Sequence, residues 1–250
     1  MSVRSIRLAC GALVTAAAMF AAAACAGGGE DAFPTAVPSP TQPPPASERV
    51  TFETADGVRI AASLWPADSP SIVVFAHMRG SDRRAWGPAV ERALDRGFAA
   101  LAFDFRGHGE SADGDADLGK IDLDLEAAVA YARQRGYARV YVVGASMGGT
   151  AALAVAARQD LAGVVVMSSP EAFEGIDARA ALSSVREPLL FIAATGDQPY
   201  RRAVEAMHEA ALGTKRLVLV PGNDHGTDLL ENRQTRDETL DAIMSFLGVP

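Results

Sequence analysis

Between residues 48 and 250 the chain alternates short apolar runs with longer stretches whose apolar positions recur at helical spacing. The runs are 72–76, 98–103, 140–143, 164–167, 189–193 and 217–220. Each is continuous where a half-exposed strand would alternate, so each is expected to be buried on both faces, as in a parallel sheet. An opening pair, 51–54 and 58–64, is divided by Asp56-Gly57, whose glycine supplies the positive φ of a hairpin turn. Ile121, Leu125, Ala128, Val129 and Ala132 fall on one helical stripe, as do Leu240, Ile243, Met244 and Leu247. A further helix carries His208 between Val204 and Ala211, and the segment between Met167 and Pro188 has room for one short helix, 178–185. Strand–helix alternation of this kind predicts an α/β domain. Its sheet is mostly parallel and doubly wound, with helices on both faces and minimal or no lid.

One junction in that pattern carries chemistry. Gly144-Ala145-Ser146-Met147-Gly148 follows the apolar run 140–143 and precedes the alanine-rich stretch 151–157, so strand, sharp turn and helix are written consecutively. Such a turn exposes a serine Oγ at the top of a sheet, and the flanking glycines allow backbones to approach where a Cβ would clash. The free N–H groups of the helix start face any negative charge that develops there. A serine hydroxyl needs a base to become a nucleophile, and an acid to hold that base in the right tautomer. Asp197 follows the run 189–193 and His225 follows 217–220. Both therefore fall just past the carboxyl ends of strands, where open α/β sheets place their sites. Of the other histidines, His77 and His108 precede the serine, and His208 lies on a helix. Asp224 and Asp228 are nearer to His225 in sequence than Asp197, but loop neighbours seldom fold back onto the ring.

From about residue 50 to 247 this arrangement resembles the α/β-hydrolase superfamily, and most of all its compact esterases and dienelactone-hydrolase-like members. The resemblance implies a triad in the chain order Ser146, Asp197, His225. It implies an oxyanion hole made by the Met147 N–H and one N–H of His77-Met78-Arg79-Gly80. By position in the family's His-Gly-x-Gly motif that donor is Arg79, with Met78 as the alternative; Met78 stands where the motif has glycine. His77 is expected to brace this loop by hydrogen bonds. Asp104-Phe105-Arg106-Gly107-His108-Gly109-Glu110-Ser111 matches the family's Arg-Gly-His-Gly-x-Ser stretch and is expected to be architectural. Trp86 and Met147 are read as core before pocket lining. The implied activity is serine hydrolysis of an ester-type acyl bond in a small molecule. An exopeptidase or amidase using the same three residues is the alternative, and a lipid-anchored binding protein on a hydrolase scaffold the less favoured one.

Other chemistries leave no trace. The histidines share no ligand-like spacing, both cysteines (Cys10 and Cys25) lie upstream of residue 48, and phosphate-binding glycine motifs are absent from the domain. No metal or cofactor is expected. The formal net charge is −8, which disfavours nucleic acid.

The first 47 residues read differently. Arg4 and Arg7 precede an uncharged alanine-rich run that ends in small residues before Cys25 and a glycine tract. This resembles a bacterial lipoprotein signal over residues 1–25, with Cys25 the lipidated first residue after cleavage. Residues 26–47, rich in glycine and proline, would form an extended tether, and 48–250 the hydrolase domain. The expectation is an exported protein, anchored to the cell membrane by lipid and facing outward. Plain secretion is the alternative.

Overall fold

The computed structural model describes residues 46–113 and 117–248. The segments read as signal and tether, with Cys25, lie outside these residues apart from positions 46 and 47. A compact unit spans 43–250. Its strands are β1 (Glu48–Glu53), β2 (Arg59–Trp65), β3 (Ser71–Ala76), β4 (Ala99–Phe103), β5 (Arg139–Ala145), β6 (Gly163–Met167), β7 (Ala172–Phe173), β8 (Ile176–Asp177), β9 (Leu189–Ala194) and β10 (Lys215–Val220). Its α-helices are α1 (Gly87–Asp95), α2 (Ile121–Gln134), α3 (Met147–Ala156), α4 (Ala178–Ala181), α5 (Tyr200–Ala210) and α6 (Arg233–Leu247).

Eight strands form one sheet in the order β1-β2-β4-β3-β5-β6-β9-β10. Pairing is parallel from β4 to β10, and β2 runs antiparallel to both of its neighbours. The opening hairpin closes as its sequence suggests, with Gly57 at φ 81° and the Gly57 and Val58 positions hydrogen-bonded back to Thr54.

Alternate residues of the central strands enter two different cores. Ile72 and Val74 of β3 join Ile121, Leu125 and Val129 of α2 and Leu153 of α3 on one face. Val73 and Phe75 join Val90 of α1 and Ile243 and Met244 of α6 on the other. All four β3 side chains are fully buried, which is why the run is continuously apolar. The run 217–220 departs from the expectation: β10 is the edge strand, and only Val220 in it is buried.

The segment before β9 also differs from its reading. The helix predicted over 178–185 stops at Ala181; beyond it the N–H groups of Leu182, Ser183 and Ser184 donate to the carbonyls three residues back, a tightened last turn. Ahead of it lies an unexpected two-stranded hairpin, β7–β8, turned by Glu174 (φ 46°) and Gly175 (φ 87°). Two consecutive positive φ values are the signature of a tight hairpin turn that keeps the strands' twist.

The strand order fixes where a site can form. From β3 the chain steps to β4 on one side, then returns to place β5 on the other. The β3/β5 boundary is thus a switch point, where loops leaving the two carboxyl ends diverge and leave a crevice.

Candidate active site

Ser146 sits at that switch point, at the end of β5. Its backbone is at φ 50°, ψ −116°, an unfavourable region for a residue with a Cβ. The Ser146 N–H donates to the Met167 carbonyl of β6 (2.8 Å), and the Ser146 carbonyl accepts from Gly149 and Thr150 in the first turn of α3. The helix is folded back so tightly that a Cβ on Gly144 would lie 2.3 Å from the Gly148 carbonyl oxygen. A Cβ on Gly148 would lie 2.2 Å from the Ala76 carbonyl oxygen, at the end of β3. Real Cβ atoms do not approach so closely, so both positions require glycine. The second clash also shows that the α3 start lies directly against the loop leaving β3.

That loop is braced as predicted. His77 is fully buried; its Nε2 lies 3.0 Å from the Phe105 N–H, and its Nδ1 2.8 Å from the Met78 carbonyl. The backbone N–H can only donate, so Nε2 must accept and Nδ1 must carry the proton. Burial pushes this imidazole down to about 4, which keeps it neutral. The Met78 carbonyl also accepts from the Ser81 N–H. In a trans peptide C=O and N–H point oppositely, so the Arg79 N–H is directed away from His77. Among the described residues, the N–H groups of Met147, Arg79 and Met78 have no hydrogen-bond acceptor.

The Asp104–Ser111 turn is likewise held from within. Asp104 is fully buried and accepts from the Arg83 N–H (2.8 Å), the Arg83 guanidinium and the Glu110 N–H (2.9 Å). The Ser111 hydroxyl donates to the Asp104 carbonyl and accepts from Ala61 of β2. Arg106 is fully buried between Asp124 of α2 and Asp56 of the opening hairpin. The Arg106 hydrogen bonds, with one from Thr54, hold the Asp56 carboxyl well below the usual carboxylate range.

Asp197 and His225 arrive from the loops after β9 and β10. The Gly196 N–H donates to the Gly222 carbonyl (2.8 Å), which ties the two loops together. His225 Nδ1 stands 3.1 Å from Asp197 Oδ2 and 3.2 Å from Oδ1. The acid is 5 % exposed and the histidine 27 %, so the carboxylate is shielded while the ring stays reachable. Asp224 takes a different partner, the Asn232 side-chain amide at 2.7 Å. Burial, and then Glu231, push the Asp228 carboxyl up, while His225 pulls it the other way. Gly226 follows His225 at φ 56°, and a Cβ there would lie 3.5 Å from the Ala145 Cβ and 2.9 Å from the Met78 sulfur. The histidine loop therefore rests on the serine turn and on the loop after β3. Among the described residues no hydrogen bond joins the Ser146 hydroxyl, in a residue 9 % exposed, to His225.

Trp86 and Met147 are wholly buried in the two cores. His208 lies on α5, edge-on to Phe191, as a helix-surface residue. Two neighbours of the site escaped the sequence reading. One is the Met78 sulfur against Gly226. The other is Tyr200, whose ring centroid lies 4.2 Å from that of His225 at an interplanar angle of 47°. Its only sequence signal is an aromatic residue opening a helix three positions after the acid. Among the described residues, no group of three or more His, Cys, Asp and Glu side chains could hold a metal ion.

Comparison with known proteins agrees with this architecture. The alpha/beta hydrolase family matches residues 73–185, a span that includes Ser146 and stops before Asp197 and His225. The chain is 28 % identical over 241 residues to the uncharacterized protein YfhR of Escherichia coli K12, covering 82 % of this chain and 83 % of YfhR. Among solved structures, the esterase Pf2001 of Pyrococcus furiosus superposes with a TM-score of 0.71 at 21 % identity, over 81 % of this chain and 93 % of that one. A dienelactone hydrolase of Anabaena variabilis gives 0.69 at 25 % identity, over 81 % and 97 %. The chain thus has the α/β-hydrolase fold, with a mostly parallel central sheet flanked by helices.

Proposed function

We propose that this protein is a serine hydrolase of the α/β-hydrolase family that cleaves ester-type acyl bonds in small molecules through a covalent acyl-enzyme. The observation that carries the reading is the strained Ser146 backbone at the β3/β5 switch point, with His225, paired to Asp197 from the neighbouring loop, on the loop that rests against it. A hydroxyl held there at conformational cost is the arrangement expected of a nucleophile.

In this mechanism Ser146 Oγ attacks the acyl carbon while His225 Nε2 takes its proton. Asp197 accepts the Nδ1–H, fixes the tautomer and stabilises the imidazolium. The negative oxygen of the tetrahedral intermediate is held by the Met147 N–H together with that of Arg79, or of Met78 as the alternative. Collapse breaks the acyl–oxygen bond, and His225 returns the proton to the leaving alkoxide. Water, deprotonated by His225, then releases the acid and restores the Ser146 hydroxyl. No cofactor takes part. Ester in preference to amide substrates are suggested by the names of two similar structures, an esterase and a dienelactone hydrolase.

A fluorophosphonate probe should label the wild-type protein covalently, and Ser146→Ala should abolish both labelling and hydrolysis of short-chain aryl esters while the fold is kept. Turnover by Ser146→Ala equal to that of the wild type would refute the assignment. Aminoacyl anilides turned over faster than aryl esters would favour the exopeptidase or amidase reading. The reading also includes export, with a lipid on Cys25 holding the domain at the outer face of the membrane.

A further inference from the structure

We infer that Tyr200 is a positioning residue for His225: its ring packs against the imidazole and supports the protonated form. This deepens the proposed triad and rests on it. Tyr200 is the first residue of α5, three positions beyond Asp197. Side chains in a helix lean toward its N-terminus, so the ring projects back over the loop that carries the acid. The two rings are 4.2 Å apart between centroids and tilted by 47°, closer than any other aromatic pair among the described residues.

One short segment thus grips the histidine twice. Asp197 meets the Nδ1 edge, and the Tyr200 ring lies tilted against the imidazole with centroids 4.2 Å apart. The carboxylate alone leaves the imidazole free to rock about that hydrogen bond; a ring packed against it removes this freedom. The segment itself is anchored, because the Arg201 N–H donates to the Asp197 carbonyl at 2.7 Å and the Gly196 N–H to Gly222. An aromatic face also attracts a cation through its quadrupole, and His225 is a cation only while it holds the serine proton. The contact therefore strengthens as the transition state forms. Of the titratable groups, Asp197 at Nδ1 and Asp228 from the turn after it interact with this residue; Asp224 adjoins it in sequence with its side chain turned to Asn232, and the loop after β3 carries Met78, which lies against Gly226, and Arg79. The Tyr200 hydroxyl has no hydrogen-bond partner among the described residues, so the ring carries the role.

Tyr200→Phe should keep kcat within about twofold of the wild type. Tyr200→Leu should lower kcat about tenfold with KM little changed. It should also shift the midpoint of the pH–kcat/KM profile to lower pH by a few tenths of a unit, since the imidazolium loses support. Tyr200→Met serves the same purpose should the leucine variant fail to fold. A loss in Tyr200→Phe as deep as in Tyr200→Leu would overturn the inference by assigning the role to the hydroxyl. So would a rise in KM alone, or a changed melting temperature with an unmoved pH profile. Wild-type labelling and turnover report separately on the triad: were these absent, the proposed function would fail, whereas wild-type activity matched by Tyr200→Leu would remove only Tyr200.

Discussion

Two carboxylates compete for the role of acid, and single hydrogen bonds separate them. Asp224 adjoins His225 in sequence, yet its side chain turns to Asn232 at 2.7 Å. Asp197 is 28 residues away and meets His225 Nδ1 with both oxygens. An amide at position 197 would present a donor or a weaker acceptor to Nδ1 and so disturb the tautomer that leaves Nε2 free to accept. Asp197→Asn should therefore reduce kcat by about 10³- to 10⁴-fold, whereas Asp224→Asn should cost less than about tenfold. Stopped assays on the two purified variants decide this, and a crippled Asp224→Asn beside an active Asp197→Asn would reverse the assignment. The same reasoning explains why the places of these residues in the fold were readable while their contacts were not. Ser146, Asp197 and His225 each follow a β-rich run, which is visible in one dimension. The Tyr200–His225 and Gly226–Met78 contacts join different loops, and no spacing rule encodes them.

At the scale of elements, the loop after β3 depends on one buried imidazole. His77 ties the end of β3 to the start of the Asp104–Ser111 turn after β4, by accepting from Phe105 and donating to Met78. Burial lowers this group from 6.5 to about 4. Because the folded value is depressed, its contribution to stability is complete above pH 6.5 and is lost as the pH falls toward 4. Over that window the unfolded chain binds up to one more proton at this position, and the gap is worth about 3 kcal/mol. His77→Gln keeps a donor and an acceptor but cannot titrate. Its stability should fall less steeply than that of the wild type between pH 7 and 4.5 in a series of urea unfolding curves. Parallel pH slopes for the two proteins would refute the account. Elements with two buried faces were legible because both faces demand apolar side chains. Those at the margin were less so. The edge strand β10 relaxes that demand on one side, and the β7–β8 hairpin is too short to show a period, resting on Glu174 and Gly175 alone.

At the scale of the whole molecule, the domain and the residues before it obey different physics. From Glu48 onward the chain buries two apolar cores against one sheet. Among the described residues no helix is long and apolar enough to cross a membrane. Arg4 and Arg7, the apolar alanine-rich run and the small residues before Cys25 motivate export with diacylglyceryl attachment to the Cys25 sulfur. Loss of residues 1–24, which leaves Cys25 first, removes Arg4 and Arg7 and no acid, and takes the net charge from −8 to −10. A net charge of this sign offers no overall attraction to anionic headgroups, and the proposed anchor is the lipid. A single acyl chain binds membranes marginally and two or more bind stably, so the two chains of a diacylglyceryl group meet the requirement. The proline-rich stretch after Cys25 would then lie between the lipid and the domain. Cys25→Ser should shift the protein from the membrane pellet to the soluble extracellular fraction, or leave it as unprocessed precursor. The kcat and KM of the domain should not change, because Cys25 lies before the folded unit that carries Ser146, Asp197 and His225. Recovery of the wild-type protein from the cytoplasm of its own host, with Met1 intact, would dispose of the anchor and the outward-facing role while leaving the Ser146 chemistry to its own test.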